Sequence, residues 1–117
     1  MMFRNFDESG PPGHEPRFEP GTLVWHRRYN YRAVVVALDS SCQAPSTWYA
    51  SNTTQPDQDQ PWYHLLVHGS AQTTYAAEQN LEEDLSGQAV EHPLVKYFFK
   101  SFKSGKYDRN DELWPSW

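Results

Sequence analysis

At 117 residues with a net charge of −5, the chain has the length of one domain and leaves no room for two independent cores. Apolar residues make up 38% and aromatic residues 15%, which suits a compact core built on half-buried pleated surfaces. No apolar run approaches the ~20 residues that span a bilayer, and the longest, Ala33 to Leu38, has the length of a strand.

The acidic total hides a segregation. Arg27, Arg28 and Arg32 stand alone in residues 24–36, and Lys96, Lys100, Lys103, Lys106 and Arg109 crowd residues 92–109, whereas residues 37–91 hold eight acids and no Lys or Arg. A chain charged in this way does not attract polyanions indiscriminately, so any contact with nucleic acid is expected to be local. Asp7 and Glu8 stand where a secretory signal would have its apolar core, so a cytosolic location is expected. Cys42, the one cysteine, has no internal disulfide partner and no cation near it in sequence, and reads as inert.

Residues 1–17, with Gly10-Pro11-Pro12-Gly13 and few apolar groups, read as a flexible arm, and residues 18–117 as the domain. Phe18-Glu19-Pro20-Gly21 is a turn signal, Thr22 to His26 a first strand, and Arg28-Tyr29-Asn30-Tyr31 a tight turn in which Asn30 takes the left-handed conformation. Arg32 to Asp39 follows as a strand, apolar without alternation at its centre and therefore buried on both faces. Residues 40–60 form a long polar connection with a helical turn over Ala44 to Ala50. Trp62 to His68 and Thr73 to Ala76 read as the next two strands, so that strands two to four are successive antiparallel partners in a curled sheet. Glu82 to Asp84 reads as a solvated acidic stretch. From Leu94 to Lys103 the pattern becomes helical: Leu94, Val95, Phe98, Phe99 and Phe102 fall within roughly 140° of arc, with Lys96, Lys100 and Lys103 opposite. Gly105 reads as its stop signal, Val34, Val36, Leu38, Leu65 and Val67 as one β-core closed by Phe98 and Phe102, and Trp114 as packed back on the body.

Motifs for chemistry are missing. There is no Gly-x-Ser-x-Gly, no phosphate-cradling glycine loop and no cysteine pair at metal spacing. His64 and His68 have metal-ligand spacing only on a helix; on a strand four residues span about 13 Å, too far to share an ion. Neither a catalytic residue, a metal nor a cofactor is expected. What remains is His26-Arg27-Arg28-Tyr29-Asn30-Tyr31-Arg32, which joins guanidinium forks suited to phosphate or guanine edges with aromatic faces and an amide able to read adenine. The bland alternative is a hairpin whose arginines only solubilise an edge strand.

Gly21-Thr22-Leu23-Val24-Trp25-His26-Arg27-Arg28-Tyr29-Asn30-Tyr31-Arg32-Ala33-Val34-Val35-Val36 resembles the opening of the YccV-like family, also called HspQ or the hemimethylated DNA-binding domain. Gln60-Pro61-Trp62-Tyr63-His64-Leu65-Leu66-Val67, Thr74-Tyr75-Ala76-Ala77-Glu78-Gln79-Asn80-Leu81 and His92-Pro93 with Phe98-Phe99 continue the resemblance, which runs from about Arg17 to Tyr107. Asn30 and Ala33 stand where glycines are common in the family's hairpin. The resemblance implies a mainly β fold, a small SH3-like, partly open β-barrel, here with one C-terminal α-helix added from periodicity. It also implies a non-enzymatic module that binds hemimethylated DNA. Bacterial members are heat-shock proteins linked to ATP-dependent proteolysis, and related domains occur in F-box proteins of the ubiquitin system.

Two partners follow as expectations. DNA would meet His26, Arg27, Arg28, Tyr29, Asn30 and Arg32, weakly unless an oligomer presents several hairpins. A protease, its client or a ubiquitin-linked partner would meet the aromatic loop (Trp48, Tyr49, Trp62) and the acidic stretch, and Lys96, Lys100 and Lys103 form a second candidate surface.

Overall fold

The unbroken apolar run becomes the centre of β2 (Tyr31–Asp39), and Ala33 to Val36 are buried without remainder. The computed structural model describes residues 15–52 and 54–115, so the expected flexible arm lies, up to residue 14, outside the described residues. β2 pairs antiparallel with β1 (Leu23–His26) on one side and β3 (Trp62–Val67) on the other. β4 (Thr73–Ala77) pairs with β3, and β5 (Leu81–Glu83) with β1, giving a five-stranded sheet in the order β4-β3-β2-β1-β5. Among the described residues the fold is mainly β, with seven strands and two short helices, and the sheet curls without closing into a barrel. A 3₁₀ turn, Glu78–Asn80, leads from β4 into β5. The acidic stretch is therefore half a strand: Glu82 and Glu83 are exposed as expected, yet their backbone pairs with Trp25 and Val24.

Two clusters pack the two faces, where the sequence suggests one core. Val24, Ala33, Val35, Tyr63, Leu65 and Leu81 share one face with Leu38 and Phe18. Val34, Val36 and Leu66 share the other with Leu23 and the C-terminal segment. Period-2 alternation requires this split, and a bulge between Val35 and Ala37 bends β2 so that the sheet can curl. On the first face Glu78 is buried and accepts from the Tyr63 hydroxyl (2.7 Å) and the Arg17 amide (2.9 Å), tying the incoming chain to the core.

The C-terminal segment departs from its helical pattern. α2 covers only Val95–Phe98, and the chain then turns into a hairpin of β6 (Phe99–Lys103) and β7 (Lys106–Arg109). Ser104 and Gly105 both have positive φ, at 54° and 75°, the geometry of a two-residue hairpin turn matched to strand twist. Gly105 thus closes a hairpin instead of stopping a helix. Phe98 keeps its core place at 4% exposure, but Phe102 lies on the outer face of β6 at 37% and does not close the core. Val90, Phe98, Phe99 and Tyr107 cover the second sheet face, and Trp114 packs against them as expected.

The hairpin docks through Gly21, whose amide donates to Val35 and whose carbonyl accepts from the Tyr107 amide (3.0 Å). At φ 99° it occupies a backbone region that L side chains rarely adopt, and a Cβ there would collide with the Tyr107 carbonyl. Among the described residues no helix is long and apolar enough to cross a membrane.

These contacts rank two substitutions. Phe98→Ala is expected to cost about 3–5 kcal/mol and Phe102→Ala much less; equal losses in urea melts would contradict the hairpin assignment. Gly21→Ala should destabilise more than its one methyl suggests and loosen the packing of Tyr107 on the second face, as read by near-ultraviolet circular dichroism.

Candidate nucleic-acid interface

β1 and β2 are joined by Arg27 to Asn30, with His26 facing Tyr31 across the ladder. Asn30 takes φ 57°, and its amide donates to the His26 carbonyl (2.8 Å). The left-handed residue expected from the sequence is therefore present, and Asn30 serves the turn's backbone.

His26 points inward at 3% exposure, sandwiched between Tyr29 (ring centroids 4.9 Å) and Tyr31 (5.0 Å) at near-parallel angles. Its Nδ1 accepts from the Tyr29 amide (3.1 Å), which leaves the ring proton on Nε2. Burial lowers its pKa, and the nearby Arg28 charge adds to the effect. The Tyr31 hydroxyl meets Thr74 Oγ1 at 2.7 Å, linking the turn to the edge strand β4.

The three arginines differ. Arg32 donates from Nε to Asp84 (2.7 Å) and from its guanidinium to the Gln88 carbonyl. Burial of Asp84 pushes its pKa up, but the hydrogen bonds from Arg32 and Ser86 and the arginine's charge outweigh it and hold the carboxyl below its usual value. Arg27 is exposed and donates to the Gln79 carbonyl. Arg28 is exposed and makes no ion pair among the described residues, and Tyr29 beside it is 56% exposed. Of the six residues expected to meet DNA, Arg27, Arg28 and Tyr29 present side chains outward. His26 and Arg32 hold the turn in place.

The aromatic loop lies next to this turn. α1 (Ser46–Ala50) sets Trp48 edge-on to Trp62 (6.2 Å) and Tyr75 (5.7 Å), and the Tyr49 hydroxyl donates to the Pro56 carbonyl (2.8 Å). Trp62 is 2% exposed, a core residue beneath Trp48 and Tyr49, so it cannot itself meet a partner. Behind it Asp39 accepts from the Tyr75 hydroxyl (2.6 Å) and lies 3.2 Å from His64 Nε2. Burial lowers the His64 pKa, although Asp39 acts against this, and burial with the Asp39 hydrogen bond raises that of Tyr75. The His64 ring also faces Trp114 at 5.3 Å. His68 is turned elsewhere, its Nδ1 accepting from the Glu91 amide (3.0 Å).

Between turn and loop lies a cavity of about 410 Å³ whose walls include Tyr29, Tyr31, Trp48, Tyr75 and Trp114. Sequence reasoning does not bring these residues together, because they come from four separate segments.

The lysines do not form a helical stripe. Lys96 lies in α2 and Lys100 and Lys103 on β6, all exposed. Lys100 is 3.7 Å from Asp108, a solvent-screened pair of small energetic weight.

His26 and His64 make stability depend on pH. Both have folded pKa values below the unfolded 6.5, so in the interval between the two values the unfolded chain binds more protons and stability rises with pH. Urea midpoints should therefore fall as pH drops below about 6.5, and His64→Phe should flatten the fall. A midpoint unchanged from pH 7.5 to 5 would contradict the buried, neutral imidazoles.

Comparison with known proteins bears on what this surface meets. F-box only protein 21 from Homo sapiens and from Pongo abelii are each 33% identical over 96 residues, covering 80% of this chain and 15% of the relative. The mouse protein, Mus musculus, matches to the same extent. The chain thus spans under a sixth of the length of these relatives. No solved structure matches it significantly. The family model described as "Hemimethylated DNA-binding protein YccV like" matches residues 16–106, from the tie at Arg17 through the β6–β7 turn, and the chain belongs to that YccV-like family.

Proposed function

We propose that this domain is a non-enzymatic module that binds duplex DNA, hemimethylated duplex above all, through the β1–β2 turn. Family membership supports the ligand class, and the observation that carries the site is the outward pair Arg28–Tyr29 beside exposed Arg27 on a turn braced from within. Guanidinium forks suit phosphate oxygens, and phosphate contacts fix register without reading sequence. Arg32 is held by Asp84 and contributes to the brace.

The number of free arginines determines the test. Each phosphate neutralised contributes about −0.9 to the slope of log affinity against log salt, so Arg27 and Arg28 give a slope of about −2. The double variant Arg27→Gln/Arg28→Gln should flatten that slope and weaken all duplexes alike. If the triple variant Lys96→Gln/Lys100→Gln/Lys103→Gln abolishes binding while the arginine variant keeps it, the contact surface is the C-terminal hairpin.

A second reading has its own support. The relatives are F-box proteins, and the 37–91 region, with eight acids and no cation, suits a basic protein partner. In that reading the domain is an adaptor in ubiquitin-linked or ATP-dependent protein turnover, with Trp48 and Tyr49 as contacts. Pull-down from lysate with and without nuclease separates the two: a ligase or protease component retained after nuclease favours the adaptor, and partners lost with the nucleic acid favour the DNA module.

A further inference from the structure

Phosphate contacts on the turn leave the adjoining cavity unused. Its volume, about 410 Å³, lies within the range of small-molecule sites, about 300–1,000 Å³. Tyr29, Tyr31, Trp48 and Tyr75 give it aromatic walls, and among the described residues no Lys, Arg, Asp or Glu lines it. His26 and His64 also line it, and burial lowers the pKa of both, so the walls carry little charge at neutral pH. Neutral polar groups complete it: the Thr73 hydroxyl, the Asn52 amide, and Trp114, whose Nε1 is buried with no hydrogen-bond partner among the described residues.

Such walls suit a flat, uncharged ring with a polar edge. A free anion would meet no cation among the described lining residues. An alkylammonium ion would gain the aromatic faces but no carboxylate among the lining residues, and it would have to pass Arg28, whose charge already disfavours protonation of neighbouring His26. Arg28 precedes Tyr29 in the turn and its charge acts on His26, a lining residue, so a cation lies near the cavity while aromatic faces line its interior. A ring within and a negative charge at the rim together describe a nucleotide.

We infer that the cavity takes a single nucleobase swung out of the duplex, its face on Tyr29 and its phosphate at Arg28. The inference rests on the DNA-binding reading for the source of the base. Tyr29 has one face on His26 and is more than half exposed, so it offers a braced platform. Extrusion costs the base its pairing and stacking, least for a mispaired base, and stacking on aromatic side chains offsets part of that cost. A pocket that receives one base also senses the modification of that base, which the outward arginines cannot do.

Two probes test this on the full chain. The first is hemimethylated duplex with the methylated base either paired or mispaired. Mispairing should tighten binding about tenfold, on the scale of one base's stacking and pairing. Tyr29→Ala should lose that advantage and Tyr29→Phe, which keeps the ring, should retain it. The second is free 5-methyl-2′-deoxycytidine or N6-methyl-2′-deoxyadenosine at millimolar concentration, which should shift the indole NMR signals of Trp48 and Trp114. Duplex binding that ignores mispairing, with no shift by either nucleoside, overturns the pocket and leaves the DNA reading standing. Nucleoside shifts without duplex binding support the pocket and sink the duplex reading. Shifts produced by a trimethyl-lysine peptide and by neither nucleoside overturn the inference, and so does silence from every probe.

Discussion

Everything in this fold depends on a strand that has no solvent side. Ala33 to Val36 are buried on both faces of β2, so each face of the sheet needs its own cover, at a transfer gain of about 1.5–3 kcal/mol for each large apolar side chain. The curl of the sheet and the entry of Phe18 close one face. The second face has no sheet left to close it, and the C-terminal segment does so with Val90, Phe98, Phe99 and Tyr107. Gly21 is where the two covers meet, since its backbone bonds to β2 and to β7 at once. The C-terminal hairpin is therefore part of the core and not an appendage.

The same economy shapes the β1–β2 turn. A four-residue connection with three cations nearby would repel itself if all pointed to solvent. Arg32 is drawn back onto Asp84 and the Gln88 carbonyl, and His26 is stacked neutral between two tyrosines. The side chains left outside, Arg27, Arg28 and Tyr29, are then held on a rigid base, so a ligand does not have to order them at its own expense. The acidic stretch of β5 and Asp84 just after it acts here as a structural counter-charge, because partly buried Asp84 anchors an arginine while Glu82 and Glu83 remain in water.

The aromatic loop shows how polar groups can be placed inside an apolar cluster. Asp39 is shielded by Tyr75 and His64, whose hydrogen bonds replace the water it loses, and Trp48 and Tyr49 rest on Trp62. With the carboxylate turned into this clasp, the neighbouring cavity keeps uncharged walls. The chain belongs to the YccV-like family, and a segment similar to it lies within the much longer F-box proteins.

The antiparallel succession of β2, β3 and β4, burial of β2 and the left-handed Asn30 were legible from residues alone, because alternation, apolar runs and turn chemistry act within a few positions, whereas β5 at the sheet edge was hidden in a short acidic stretch. So was the placement of Phe98 and Trp114 against the body. The segment 94–103 was not legible: its phenylalanines satisfy a helical arc, but the same residues satisfy a hairpin once Ser104 and Gly105 take positive φ, and a terminal glycine signals either. The choice rests with the exposed second face of β2, which needs a broad cover that one helix of that length does not supply. Likewise the sequence by itself placed Arg27, Arg28 and Arg32 in one basic island, and only the tertiary structure decided which of them is free. Asp84 is 52 residues from Arg32 along the chain, and charge pairing over such a separation is determined by the sheet that brings β5 against β1.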